Sequence, residues 1–287
     1  MITRLSILKV LVGCLIISSF TETVSAQYFY RDIILTSQNR DNQQLFKKNK
    51  VTQIELKSFE ANGEPTERFV CEQNFNSTYS VSRTFTNGEL TGPSSLTSYY
   101  NGQGQLYRTV DSSRQSMSTN DYKYDSLGRV IQITNNSFGY GDKVKETEVH
   151  LWSYNSRSCP EKMLRIKNGS DSTTVKFNCD DKGNVIDEES FWRGASRDKI
   201  YYYYDSSNHL TDIVRYNERA KKLLPDYIFE YDGNNQLTQM ITVQQGSSDY
   251  LTWRYNYNEK GLKTKEICYD KQKQLLGRIE YEYELKK

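Results

Sequence analysis

Histidine and proline are nearly missing from this 287-residue chain, which has two of the first and four of the second. His150 and His209 fall in different parts of the sequence, without a matched motif beside either. A Cys–His nucleophile pair or a histidine-based metal centre is therefore not expected. No Pro-rich or Ser-rich stretch divides the chain. Charge of one sign is missing too: 38 basic and 36 acidic residues leave a formal net charge of +2, no footprint for nucleic acid or an anionic bilayer. G-x-S-x-G, P-loop, H-E-x-x-H and G-x-G-x-x-G motifs in strand-turn-helix context are all absent, so neither a cofactor nor a catalytic residue is expected. Apolar residues make up only 36% of the chain, whereas tyrosine occurs 23 times. Any core must be thin and aromatic.

Beyond the N-terminus no run approaches the ~20 apolar residues of a helical membrane span. The N-terminus itself carries Arg4 and Lys9, then an apolar run over Val10–Phe20, then "TETVSA" with small residues at its end. This is the pattern of a secretory signal peptide, residues 1–26, cut after Ala26. A lipoprotein reading of "LVGC" at Cys14 competes with it, but leaves "LIISSF" stranded beyond the cut and too short an apolar stretch before it. The mature chain is thus expected to be exported, to the periplasm, the outer cell surface or the medium. It retains Cys71, Cys159, Cys179 and Cys268. An even number in an exported chain permits two disulfides in three connectivities, which spacing cannot separate. Buried thiols are the alternative, because a chain of this size needs no staples.

What the chain has in abundance is repetition. "YYNGQGQLYRTV" from Tyr99, "YKYDSLGRVIQI" from Tyr122, "WSYNSRS" from Trp152 and "FNCDDKGNVIDE" from Phe177 share one plan. "YYYDSSNHLTDI" from Tyr202, "FEYDGNNQLTQM" from Phe229 and "YNYNEKGLKTKE" from Tyr255 continue it. Their anchors, Asn101, Asp125, Asn155, Asp180, Asp205, Asp232 and Asn258, recur every 24 to 30 residues, which implies stacked supersecondary units. Aromatic residues at alternate positions lie on one face of a strand. The Asp or Asn bonds its own downstream backbone, and Gly128, Gly183 or Gly261 supplies the positive φ of a turn. Each unit therefore reads as a β-hairpin. Residues 51–96 read as degenerate units because Asn-Gly recurs between alternating runs; 97–287 are the clearer array, and 27–50 read as an N-terminal cap. "NRDNQQLFKKNK" at 39–50 is the one short, polar helical candidate. "NCDDKGNVIDEE" approximates a calcium loop, but Lys182 occupies a ligand position and the stretch is another copy of the hairpin.

The series Y-x-Y-D-x-x-G-x-L resembles the YD repeat of the RHS family from about Tyr99 to the C-terminus. Cys179 replaces the second aromatic of its unit, Asn208 and Asn235 replace Gly, and the Trp152 unit lacks it. The resemblance implies an antiparallel hairpin array coiled into a β-shell, with carbohydrate-binding or cell-surface roles in some members. The number of hairpins looks too small for closure. The expected fold is therefore all-β, one curved or spiralling sheet in the form of an open half-barrel or short β-spiral.

A Tyr-lined concave face would suit sugars, though the motif tyrosines Tyr122, Tyr124, Tyr204, Tyr231, Tyr255 and Tyr257 serve equally as core. The non-motif aromatics Trp192, Tyr201 and Trp253 are the better ligand candidates. The function that follows is a non-catalytic binding module of the cell envelope, with a glycan or other cell-surface ligand. Its alternative is a structural or assembly partner of an envelope protein, acting through a terminal edge such as "IEYEYEL". A glycan hydrolase ranks third, because carboxylates are plentiful but no pair stands out.

Overall fold

The structure is a computed structural model and describes residues 28–89, 91–141, 145–243 and 248–286. Residues 1–26, read from the sequence as a signal peptide, and Cys14 within them lie outside the described residues. Among the described residues a helix, α1 (Arg31–Lys48), precedes β1 (Val51–Glu60), β2 (Val70–Phe75), β3 (Val81–Asn87), β4 (Ser94–Tyr100), β5 (Leu106–Ser113) and β6 (Ser116–Tyr124). The chain continues with β7 (Val130–Gly139), β8 (Lys145–Tyr154), β9 (Pro160–Lys167), β10 (Asp171–Cys179), β11 (Val185–Trp192) and β12 (Ala195–Tyr204). It ends with β13 (Leu210–Asn217), β14 (Lys222–Tyr231), β15 (Leu237–Val243), β16 (Tyr250–Tyr257), β17 (Lys263–Tyr269) and β18 (Leu275–Leu285).

Every strand pairs antiparallel with its neighbours in sequence, and β18 returns to β1 from Val51↔Leu285 to Glu60↔Gly277. The sheet is thus a closed 18-stranded meander, and the open half-barrel or spiral expected from the sequence is corrected. The physical reason lies in the two terminal strands. Left open, each would expose a row of unpaired N–H and C=O groups. They are 10 and 11 residues long, and closure satisfies both rows at once.

The repeated turns line one rim of the barrel. At Asp125, Oδ1 accepts the N–H groups of Leu127 and Arg129 at 3.0 and 2.9 Å. The Asp125 N–H donates to the Arg129 carbonyl, and the Gly128 N–H returns to the Asp125 carbonyl. The two side-chain bonds recur at Asn101, Asn155, Asp180, Asp205, Asp232 and Asn258. Where glycine is replaced, Ser158, Asn208 and Asn235 take its positive φ at 63°, 66° and 64°, a conformation that Asn tolerates better than most residues.

A second repeated contact ties each unit to the one before it. The tyrosine preceding the anchor donates its hydroxyl to the carbonyl that opens the return strand of the previous unit. These bonds are Tyr124 to Leu106 at 2.7 Å, Tyr154 to Val130 at 2.7 Å and Tyr204 to Val185 at 2.9 Å. Tyr231 to Leu210 and Tyr257 to Leu237 continue the series at 3.0 and 2.9 Å, and Tyr283 of β18, which precedes no anchor, makes the same bond to Lys263 at 2.6 Å. In the one motif unit where Cys179 stands in place of tyrosine, it forms a disulfide with Cys159 of the previous unit. A covalent link replaces the hydrogen bond.

Strand alternation sends the motif aromatics inward. Two buried clusters form there, one around Val51, Leu56, Trp253 and Ile279, the other around Trp152, Met163, Phe177 and Tyr202. The opposite faces carry charge. Cross-strand pairs on the outside include Lys57–Glu282 at 2.7 Å, Lys265–Glu280 at 3.0 Å, Arg108–Asp121 at 3.6 Å and Lys199–Asp187 at 3.7 Å.

Candidate functional site

The helix α1 occupies the lumen. Eighteen residues make a rod of about 27 Å, with apolar residues gathered near its two ends. At its start Tyr28 packs edge-on against Tyr202 and Tyr227, with ring centroids 6.3 and 5.8 Å apart, and Phe29 meets His150 at 5.9 Å. At its end Leu45 and Phe46 join the other cluster, Phe46 lying 5.3 Å from Phe75. There Gln43 donates to the Tyr79 carbonyl and Asn49 to Lys260 at 3.5 Å. The helix thus enters the lumen beside β8, β11, β12 and β14 and ends at the turn rim beside β2 and β17, a bar across the mouth. Residues 28–50, which belong to the segment read from the sequence as a cap, supply this bar.

The bar is held by buried charge. Tyr30 has no side-chain cap, and Glu188 of β11 takes that role from the wall, accepting the N–H groups of Phe29 and Tyr30 at 2.7 and 2.8 Å. One carboxylate so satisfies donors at the start of the helix that would otherwise be orphaned. In the first turn Asp32 receives His150 Nδ1 at 2.6 Å and the Trp152 indole N–H at 3.3 Å. His150 Nε2 contacts Glu148 at 2.9 Å, and Arg165 closes the chain on Glu148 at 2.6 Å.

Burial alone would push the His150 pKa down, but the charge and hydrogen bonds of Asp32 and Glu148 outweigh it and raise it to about 9. His150 is therefore an imidazolium at neutral pH, donating to two carboxylates. Burial raises Glu148, yet bonds from His150 and Arg165 prevail and lower it to about 2. For Glu188 burial wins over its two main-chain donors, and the pKa stands at about 7. His150 and Glu188 are only 3% and 2% exposed. With both ring nitrogens committed and no access for a substrate, the cluster holds the helix in place; it is not arranged to move protons on a ligand. Sequence reasoning set His150 aside as isolated, since its partner Asp32 lies 118 residues away.

The structure does not bring the three sequence-chosen aromatics together. Trp253 is fully buried in the core. Tyr201 lies on the outer wall with Lys199 Nζ 5.3 Å from its ring. Trp192 ends β11 at the rim opposite the anchored turns, where Arg193 and Arg197 lie over its ring at 4.3 and 4.9 Å and its indole donates to Asp171 at 2.8 Å. Of Cys71, Cys159, Cys179 and Cys268, only Cys159 and Cys179 are joined among the described residues; Cys71 and Cys268 are buried in the core. One disulfide therefore forms where two were permitted. The calcium-like stretch is a hairpin, with Asn178 bonded across to Asp187 at 2.9 Å.

A concavity opens at the turn rim, a hollow of about 320 Å³ between α1 and the turns at Asn101 and Asp125. Arg40, Asp41 and Gln44 face Gln103, Gln105 and Ser126 across it. Sequence reasoning missed it because it exists only where the helix crosses the rim.

No protein-family model and no curated protein matches the chain, so the YD-like pattern stands as a property of its own hairpins. Among solved structures, a porin-like protein from Bacteroides uniformis is similar at 11% identity, covering 82% of this chain and 97% of that one, with a TM-score of 0.43. The TcdB2-TccC3-Cdc42 complex is similar at 13% identity over 75% of this chain, with a TM-score of 0.35. This chain spans only 12% of that one. A porin-like protein from Bacteroides vulgatus gives 12% identity over 82% of this chain and 98% of that one, with a TM-score of 0.20. These superpositions are loose, and what the chain does is argued from its own residues.

Proposed function

We propose that the protein is an exported, non-catalytic barrel of the cell envelope that acts as a binding module, with a glycan as the ligand class. The observation that carries this reading is the division between a charged outer wall and a lumen crossed by a locked helix. A lysine facing the middle of a bilayer from a barrel wall costs about 2–4 kcal/mol and an acidic residue less, and this wall carries Lys57, Lys265, Glu280 and Glu282. The wall is therefore suited to water, and no described helix is long and apolar enough to cross a membrane.

The glycan reading does not draw on the motif tyrosines, which face inward and of which Tyr124, Tyr204, Tyr231 and Tyr257 spend their hydroxyls joining one unit to the next. Support comes from the hydrophilic hollow at the turn rim. The alternative, assembly through the "IEYEYEL" edge, loses its basis because those residues pair with β1.

Residues 27–287 passed over immobilised polysaccharides should be retained without release of reducing ends. Product release would overturn the non-catalytic reading. In flotation with neutral phospholipid vesicles the protein should stay in the aqueous fraction, and co-flotation would overturn the water-facing wall.

A further inference from the structure

We propose that the hollow at the turn rim is a subsite for one neutral, polyhydroxylated sugar unit of a larger glycan. The inference rests on the binding-module reading and names where its ligand is gripped. Its floor is rigid before any ligand arrives. Gln105 is fixed by Asn101 at 2.9 Å and donates to the Gly128 carbonyl at 3.1 Å, and both flanking turns are held by their anchors. Such preorganisation removes ordering cost from binding. At Gly128, where φ is +79°, an added Cβ would lie 3.0 Å from Gln105 Nε2, so a side chain there would press on the glutamine that joins the two turns.

The groups turned to the hollow are planar and multiply hydrogen-bonding. Arg40 and Gln44 stand one helical turn apart on α1 and therefore on one face, and Gln103 reaches in from the opposite turn. The Gln44 and Gln103 side-chain amides make no hydrogen bond to the described residues, and Arg40 lies 3.6 Å from Asp41 and also acts electrostatically on Tyr124. Forked donors and acceptors of this kind match adjacent hydroxyls of a sugar.

Charge narrows the class further. Arg40 and Asp41 cancel, so neither an anion nor a cation is favoured, and the polar lining offers little to an apolar ligand. The single large apolar side chain is Leu127, 70% exposed at the turn tip, where it can meet the C–H face of a ring. About 320 Å³ lies at the small end of ligand sites and suits one unit rather than a chain.

The test is calorimetric titration of residues 27–287 with methyl glycosides of neutral hexoses, a uronic acid, an amino sugar and free glycine. Neutral glycosides should bind best, and Arg40→Ala and Gln103→Ala should each weaken binding at least tenfold while leaving the melting temperature unchanged. Lys265→Ala on the outer wall should bind as the parent does. Binding that survives both hollow variants would overturn the subsite while leaving the binding module standing. Tighter binding of the charged sugars or of glycine would overturn the ligand class. Failure of every glycoside to bind would overturn the subsite, and retention on polysaccharide would then decide the wider reading separately.

Discussion

The hydroxyl of Tyr204 donates to the Val185 carbonyl at 2.9 Å, one of a series of identical bonds between neighbouring units. Removing it by Tyr204→Phe should cost about 1–2 kcal/mol in urea unfolding, the net bond plus the stranded carbonyl. Tyr203→Phe on the outer face, 47% exposed, should change stability by no more than about 0.5 kcal/mol. Equal effects would show that the series is incidental.

The luminal lock gives a pH dependence with a defined sign. The contribution of His150 is complete below its unfolded value of 6.5 and is lost as pH rises through about 9. That of Glu148 is present above 4.5 and is lost as pH falls through about 2. Glu188 acts in the opposite sense to Glu148: its raised pKa means that stability declines as pH rises from 4.5 through about 7. Thermal stability should therefore peak near pH 4.5, where the contribution of Glu148 is complete and that of Glu188 is not yet lost, and should fall on either side. Glu188→Gln should flatten the decline from 4.5 to 7 and leave the one near 9, whereas an unaltered profile would refute the assignment. The anchors of the turns were legible because their partners lie within four residues. The lock was not, because its members are brought together by the barrel.

At the level of the hairpin, Cys159–Cys179 stands where other units have a tyrosine bond. It closes a loop of 20 residues, for which chain entropy gives about 3 kcal/mol. Cys179→Ser should lower stability by about that amount, and reducing agent should reproduce the loss in the parent but not in the variant. A loss of 1 kcal/mol or less would mean that strand pairing alone fixes the register there. Two further anchored turns escaped the sequence pattern. Asp270 is followed by Lys273 with φ at +61° where glycine was expected, and Asn76 spans a longer turn. The helix was half legible. The 39–50 candidate caught its C-terminal part, but Ile33, Ile34 and Leu35 at one end and Leu45 and Phe46 at the other form no continuous apolar stripe. The middle of the bar crosses a polar space and has no face to bury.

For the molecule as a whole, closure predicts that the amides of Tyr281 and Tyr283, paired with Leu56 and Ile54, exchange as slowly as those of an interior strand such as β12. Hydrogen exchange followed by mass spectrometry would settle it, since rapid exchange along both β1 and β18 would indicate an open strip. By itself the sequence determined the hairpin unit, its period, the conformation of its turns and the inward face of its aromatics, because each depends on residues close together along the chain. Closure, the helix in the lumen, the pairing of His150 with Asp32, the choice of one disulfide and the hollow at the rim were decided only by tertiary structure. The disulfide links neighbouring units 20 residues apart, but each of the others joins segments far apart in the chain, and the geometry that joins them is the circumference of the whole barrel rather than any local pattern.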